Sequence, residues 1–96
     1  MIEICIMPDN PPFWRNYRFP GSHRHEIFYG TANRKKSIED GLVIFLTPTM
    51  HNMSSQGIHF NRNFDLYAKR EGERAWLTYY HKSIDDFIKE YGKNYL

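Results

Sequence analysis

A chain of 96 residues can build one modest core but not two, and 41 % hydrophobic with 17 % aromatic content argues against wholesale disorder. The single cysteine, Cys5, excludes an internal disulfide and a multi-cysteine zinc knuckle, so any metal falls to the five histidines and the carboxylates. A net charge of +2 is too small to identify a nucleic-acid partner; no apolar run reaches membrane-spanning length and the N-terminus lacks a signal-peptide layout, so the expected compartment is a reducing cytoplasm with no membrane partner.

In chain order, Ile2, Ile4 and Ile6 share a period of two, which predicts a short strand over Ile2 to Met7, ended by Pro8. From Asp9 to Ser22 the chain is rich in Pro, aromatic and Arg residues; it predicts an irregular loop that Trp14, Tyr17 and Phe19 pin to the core. Arg24 to Tyr29 has the composition of a strand, stopped by Gly30. A short helix fits Asn33 to Asp40, closed by Gly41. Leu42 to Leu46 is a continuous apolar run and predicts a buried central strand. Thr47 as N-cap with Pro48 at the first helical position opens a short helix containing His51, which Gly57 breaks before His59. Asn61 or Asn63 caps a longer helix through Phe64, Tyr67, Ala68, Ala75, Trp76, Tyr79 and Tyr80, with Gly72 a point of kinking or division. Ser83 and Asp86 form a capping-box pattern for a last helix ending at Gly92.

A strand carrying His25 and Glu26, a second strand, and then His51 and His59 suggest a shared site. Side chains leaving the first strand and the following helix of a ββα unit converge at its open end. His51 and His59 are eight positions apart, too far for adjacent turns of one regular helix, so the turn at Gly57 must bring His59 back. Taken alone, His51 and His59 also fit surface or cap positions, and His25 a satisfied core histidine; His23 and His81 have no placed partner and read as surface residues.

Several segments carry a family likeness: Arg24-His25-Glu26-Ile27-Phe28-Tyr29-Gly30, Asn33-Arg34-Lys35-Lys36-Ser37, Asp40-Gly41-Leu42-Val43, Pro48, His51-Asn52, Gly57-Ile58-His59-Phe60-Asn61 and Gly92-Lys93-Asn94-Tyr95-Leu96. Together they resemble small phage-associated HNH (ββα-metal) endonucleases, over about three quarters of the chain. The resemblance implies one α+β domain: a divergent N-terminal strand and loop (1–22), a ββα-metal core with a small antiparallel sheet (23–60) and C-terminal helices (61–96). It implies that His25, His51 and His59 bind one divalent cation, Mg²⁺, Mn²⁺ or Zn²⁺, and that an active site would hydrolyse phosphodiesters.

The likeness breaks at three places. Glu26 stands where the family has the His that takes a proton from the attacking water; as the catalytic position it becomes a base or a fourth ligand. Thr47 and Met50 stand where relatives carry zinc-knuckle cysteines, and Gly41 where an Asn that orients the base is usual. The pattern therefore implies a degenerate member with impaired or absent catalysis; the alternatives are an active metal-dependent DNA endonuclease or nickase, and a phage anti-defence inhibitor of the anti-CRISPR type that binds a host defence protein or nucleic acid inside a bacterial cell. Arg34, Lys35 and Lys36, with Arg62, Lys69 and Arg70, form either a track for a phosphate backbone or a solvated helix face. Ile84, Phe87, Ile88 and Tyr91 make a helical stripe suited to the core or to a homodimer seam.

Overall fold

The computed structural model describes residues 14–15, 18–53, 57–59 and 61–96. The predicted strand over Ile2 to Met7, with Cys5, lies outside them, as do the side chain of Trp14 and all of Tyr17. In chain order the elements are β1 (Trp14–Arg15), β2 (His23–Glu26), α1 (Asn33–Glu39), β3 (Val43–Leu46), a wide π-type turn (Thr49–Met53), α2 (Arg62–Tyr80) and α3 (Ile84–Tyr91). This is the expected α+β class with a small antiparallel sheet.

β3 is the central strand and all four of its residues are buried, as its unbroken apolar run requires. β2 pairs with it antiparallel, His23 opposite Leu46 and Glu26 opposite Val43. β1 pairs with its other edge, Trp14 opposite Leu46 and Arg15 opposite Phe45. This corrects the expectation of an irregular loop over residues 9–22. A buried strand cannot leave one row of N–H and C=O groups unmet, and two residues of the Pro-rich segment supply partners.

β2 also starts and stops earlier than the predicted Arg24 to Tyr29. The Ile27 N–H still reaches Leu42 O at 3.0 Å, but the Phe28 N–H goes to the buried Ser37 hydroxyl on α1 at 3.2 Å. That hydroxyl donates in turn to Leu42 O at 2.6 Å, so Ser37 stitches α1 between the two strands. α1 ends at Gly41, whose φ of +78° is open to glycine at little cost.

Thr47 caps the turn that follows β3, its Oγ1 accepting from Met50 N at 3.3 Å. Within the described residues that segment is one wide turn rather than the short regular helix expected. Asn61 caps α2 as anticipated, accepting from Phe64 N at 3.1 Å. α2 then runs unbroken for 19 residues, so Gly72 does not divide it. Its role is close approach: a Cβ there would lie 3.1 Å from Ile27 Cγ2 and 3.2 Å from Phe28 Cε2, so the missing side chain lets α2 sit directly on the end of β2. α3 carries the full Ser83–Asp86 capping box and stops at Gly92, φ +86°. Of its stripe, Phe87 and Tyr91 enter the core, while Ile84 and Ile88 remain exposed.

Two polar knots tie the helices together. The Asp40 carboxylate accepts from Trp76 Nε1 at 2.9 Å and from the Tyr91 hydroxyl at 2.6 Å, and its carbonyl accepts from the Tyr80 hydroxyl at 2.9 Å. Burial, reinforced by Asp40, pushes the Tyr91 hydroxyl well above the usual tyrosine range, so it stays a donor. Earlier on α2, the Tyr95 N–H donates to Glu73 Oε1 at 2.7 Å and Arg70 Nε donates to Tyr95 O at 3.0 Å. Glu73 is fully buried, and that burial raises its pKa above the ordinary carboxylate value. Among the described residues no helix is long and apolar enough to cross a membrane.

Candidate metal centre

β2 and the π-type turn create the site. Alternation along β2 puts His23 and His25 on one face, and pairing with β3 sets that face beside the turn that bears His51. His59 is then returned by main-chain bonds across the intervening residues: Ile58 N donates to Met50 O at 2.7 Å and His59 N to His51 O at 3.3 Å. The two histidines separated by eight positions thus become neighbours, in the region where Gly57 was expected to turn the chain.

Three rings meet there. Ring centroids lie 5.4 Å apart for His25 and His51, 5.1 Å for His25 and His59, and 4.7 Å for His51 and His59. One nitrogen from each falls within 4.8 Å of the other two, a group that could hold a metal ion. His51 Nε2 and His59 Nε2 are 3.0 Å apart. Zn–N bonds of about 2.0–2.1 Å at a tetrahedral angle set nitrogens ~3.3 Å apart, so closing the wider separations by at most about 1.5 Å brings the set onto one ion.

The donor chemistry fits a cation. His25 is 2 % exposed and its Nε2 is buried without a hydrogen-bond partner, an uncommon condition that a ligand bond would relieve. Burial, with repulsion from His59, His51 and Lys69, lowers its pKa from 6.5 to about 3, so the ring is neutral and its lone pair is free. Burial and the neighbouring His59 and His23 lower His51 as well. Metal ligation needs neutral imidazole, and the surroundings favour it before any ion arrives.

The rings form one side of a cavity of about 190 Å³ lined also by Arg24, Glu26, Tyr29 and Arg34. Glu26 lies between two guanidiniums, 3.7 Å from Arg24 Nε and 3.6 Å from Arg34 Nε. The Tyr29 ring packs against His25 and His59 while its hydroxyl donates to Asp65 Oδ1 at 3.0 Å. Asp65 in turn pairs with Lys69 Nζ at 2.9 Å, and that ammonium stands 4.5 Å from the Tyr29 ring centroid.

The six basic residues proposed from the sequence are placed differently from one another. Arg34 lines the cavity, with its side chain 65 % exposed. Lys35 and Arg62 are exposed. Lys36 Nζ donates to Glu90 O at 2.6 Å, Lys69 is held by Asp65, and Arg70 by Tyr95 O. His81 is exposed and forms the left-handed C-cap of α2. His23 departs from its expected surface role: its Nδ1 lies 3.2 Å from His51 Nδ1. The signal for it was present in the His-x-His alternation of the strand, which sets His23 and His25 on one face. Comparison of the chain with protein-family models, curated proteins and solved structures finds no match.

Proposed function

We propose that this chain is an HNH-like ββα-metal domain that holds one divalent cation through His25, His51 and His59 and engages phosphodiesters with hydrolysis impaired or absent. The observation that carries the proposal is the convergence of three imidazoles, from β2, the π-type turn and the segment returning to it, on one cavity. Of Mg²⁺, Mn²⁺ and Zn²⁺, an all-imidazole set favours Zn²⁺. Such an ion supplies Lewis-acid polarisation of a phosphoryl oxygen and offsets charge on the leaving oxygen.

The chain's own residues divide the remaining work. His25 is the fixed ligand, buried and neutral, while His59, exposed, closes the set from the solvent side. Arg34 on the cavity wall presents guanidinium donors suited to a phosphate. Glu26 stands at the family's base position, yet its carboxylate faces Arg24 and Arg34. A carboxylate engaged with two cations orients them; it is poorly placed to take a proton from water as an imidazole does. That is the physical ground for reduced turnover.

The test measures zinc stoichiometry after dialysis and nicking of supercoiled plasmid with Mg²⁺, Mn²⁺ or Zn²⁺, for the wild type, His59→Ala and Glu26→His. One zinc per chain, lost in His59→Ala, is expected, with little nicking by the wild type and a gain in Glu26→His. Absence of zinc binding by the wild type sinks the metal site. Strong wild-type cleavage that vanishes in His59→Ala overturns impaired catalysis in favour of an active nuclease.

A further inference from the structure

We infer that His23 is a positioning residue for the metal site, accepting the Nδ1–H of His51 and thereby turning the His51 Nε2 lone pair towards His25 and His59. The inference rests on the metal-binding reading above, and adds a residue that neither the composition nor the family likeness points to.

The geometry is specific. His51 uses both ring nitrogens: Nδ1 is 3.2 Å from His23 Nδ1, and Nε2 is 3.0 Å from His59 Nε2. The His23 and His51 rings meet edge-on, with centroids 5.3 Å apart and planes at 86°. A hydrogen bond between two like nitrogens requires one to carry the proton and the other the lone pair, so two arrangements exist. If His23 donates from Nδ1, a neutral His51 carries its proton on Nε2, aimed at His59, and that nitrogen is closed to a cation. If His51 donates from Nδ1, its Nε2 is bare and faces the other two ligands. Only the second arrangement is compatible with the three-imidazole site.

Metal-bound histidines ordinarily donate their second N–H to a carboxylate, carbonyl or water, which fixes tautomer and ring direction. No hydrogen bond from His51 Nδ1 to a carboxylate or carbonyl is found among the described residues; the nitrogen within reach is that of His23. The strand explains why it is there. His23 and His25 lie two apart on β2, so the backbone that delivers a ligand also delivers the group that aims its neighbour.

Two substitutions separate acceptor from bulk. His23→Phe keeps a ring edge against His51 and removes the acceptor; His23→Asp removes the ring and sets a carboxylate oxygen near the lost Nδ1. Zinc affinity, measured by competition with a chromophoric chelator, is expected to fall about 10–100-fold in His23→Phe and to return to the wild-type value or better in His23→Asp. Long-range proton–nitrogen NMR on the metal-free proteins is expected to report the Nδ1–H tautomer of His51 in the wild type and His23→Asp, and a shift towards Nε2–H in His23→Phe. Equal affinity in His23→Phe and wild type, equal loss in both variants, or a wild-type His51 protonated on Nε2 would overturn the inference. Failure of the wild type to bind zinc instead overturns the metal-binding reading, and the tautomer measurement still decides whether His23 directs His51.

Discussion

His25 holds an ordinary ionisable group in a place where its ionised form is strongly disfavoured. Its folded pKa of about 3 lies below the unfolded value near 6.5, so between these limits the unfolded chain binds the extra proton. Stability of the metal-free protein is therefore lost as pH falls through that window, and the His25 contribution is complete near its lower end. At about 1.4 kcal/mol per unit, the fall from pH 6.5 to 5 costs the wild type roughly 2 kcal/mol through this residue. Urea unfolding in the presence of a chelator is expected to show that much less acid sensitivity in His25→Phe; parallel pH dependence in the two proteins would contradict the burial argument. The convergent trio His25, His51 and His59 was legible from the sequence, because the pattern the chain resembles has histidines at those places. His23 was not, because that pattern has no histidine in its role and only the strand period hints at it.

Among the elements, those whose causes are local were the easiest to foresee. β3 follows from an unbroken apolar run, the start of α2 from Asn61 and both ends of α3 from Ser83 and Gly92. Elements with distant causes were not foreseen. β1 exists because β3 has a second edge, and β2 ends early because Ser37 takes the Phe28 N–H. Gly72 illustrates the same limit: helix propensity marks it as a weak point, yet tertiary contact explains it. Gly72→Ala should gain about 1 kcal/mol in propensity, but the new methyl meets the buried Ile27 and Phe28 at 3.1 and 3.2 Å, closer than ordinary van der Waals contact. Overpacking of that kind costs about 1–3 kcal/mol, so a net loss of roughly 1 kcal/mol is expected in denaturant melts. A more stable variant would mean that α2 can move away from β2.

For the whole molecule, the candidate centre doubles as a clasp. With an ion in place it would join β2, the π-type turn and the segment leading into α2, of which the last two already share main-chain hydrogen bonds. A ligand that binds only the folded state adds its binding energy to stability: at a hundredfold excess over its dissociation constant, zinc contributes about 2.7 kcal/mol. At roughly 4–8 °C per kcal/mol for a domain of this size, the melting midpoint should rise by ~10 °C or more. His59→Ala should melt at the same temperature with or without zinc. A small rise shared by both proteins would assign the effect to adventitious surface binding. Midway along α2, Glu73 and Arg70 hold the main chain of Tyr95, one by its N–H and the other by its carbonyl. An amide hydrogen given to a carboxylate that solvent cannot reach is withheld from deuterated water as well. Tyr95 should therefore retain its proton in exchange experiments for far longer than the exposed Asn94 and Leu96 on either side of it, a protected point in a segment with no helix or strand of its own.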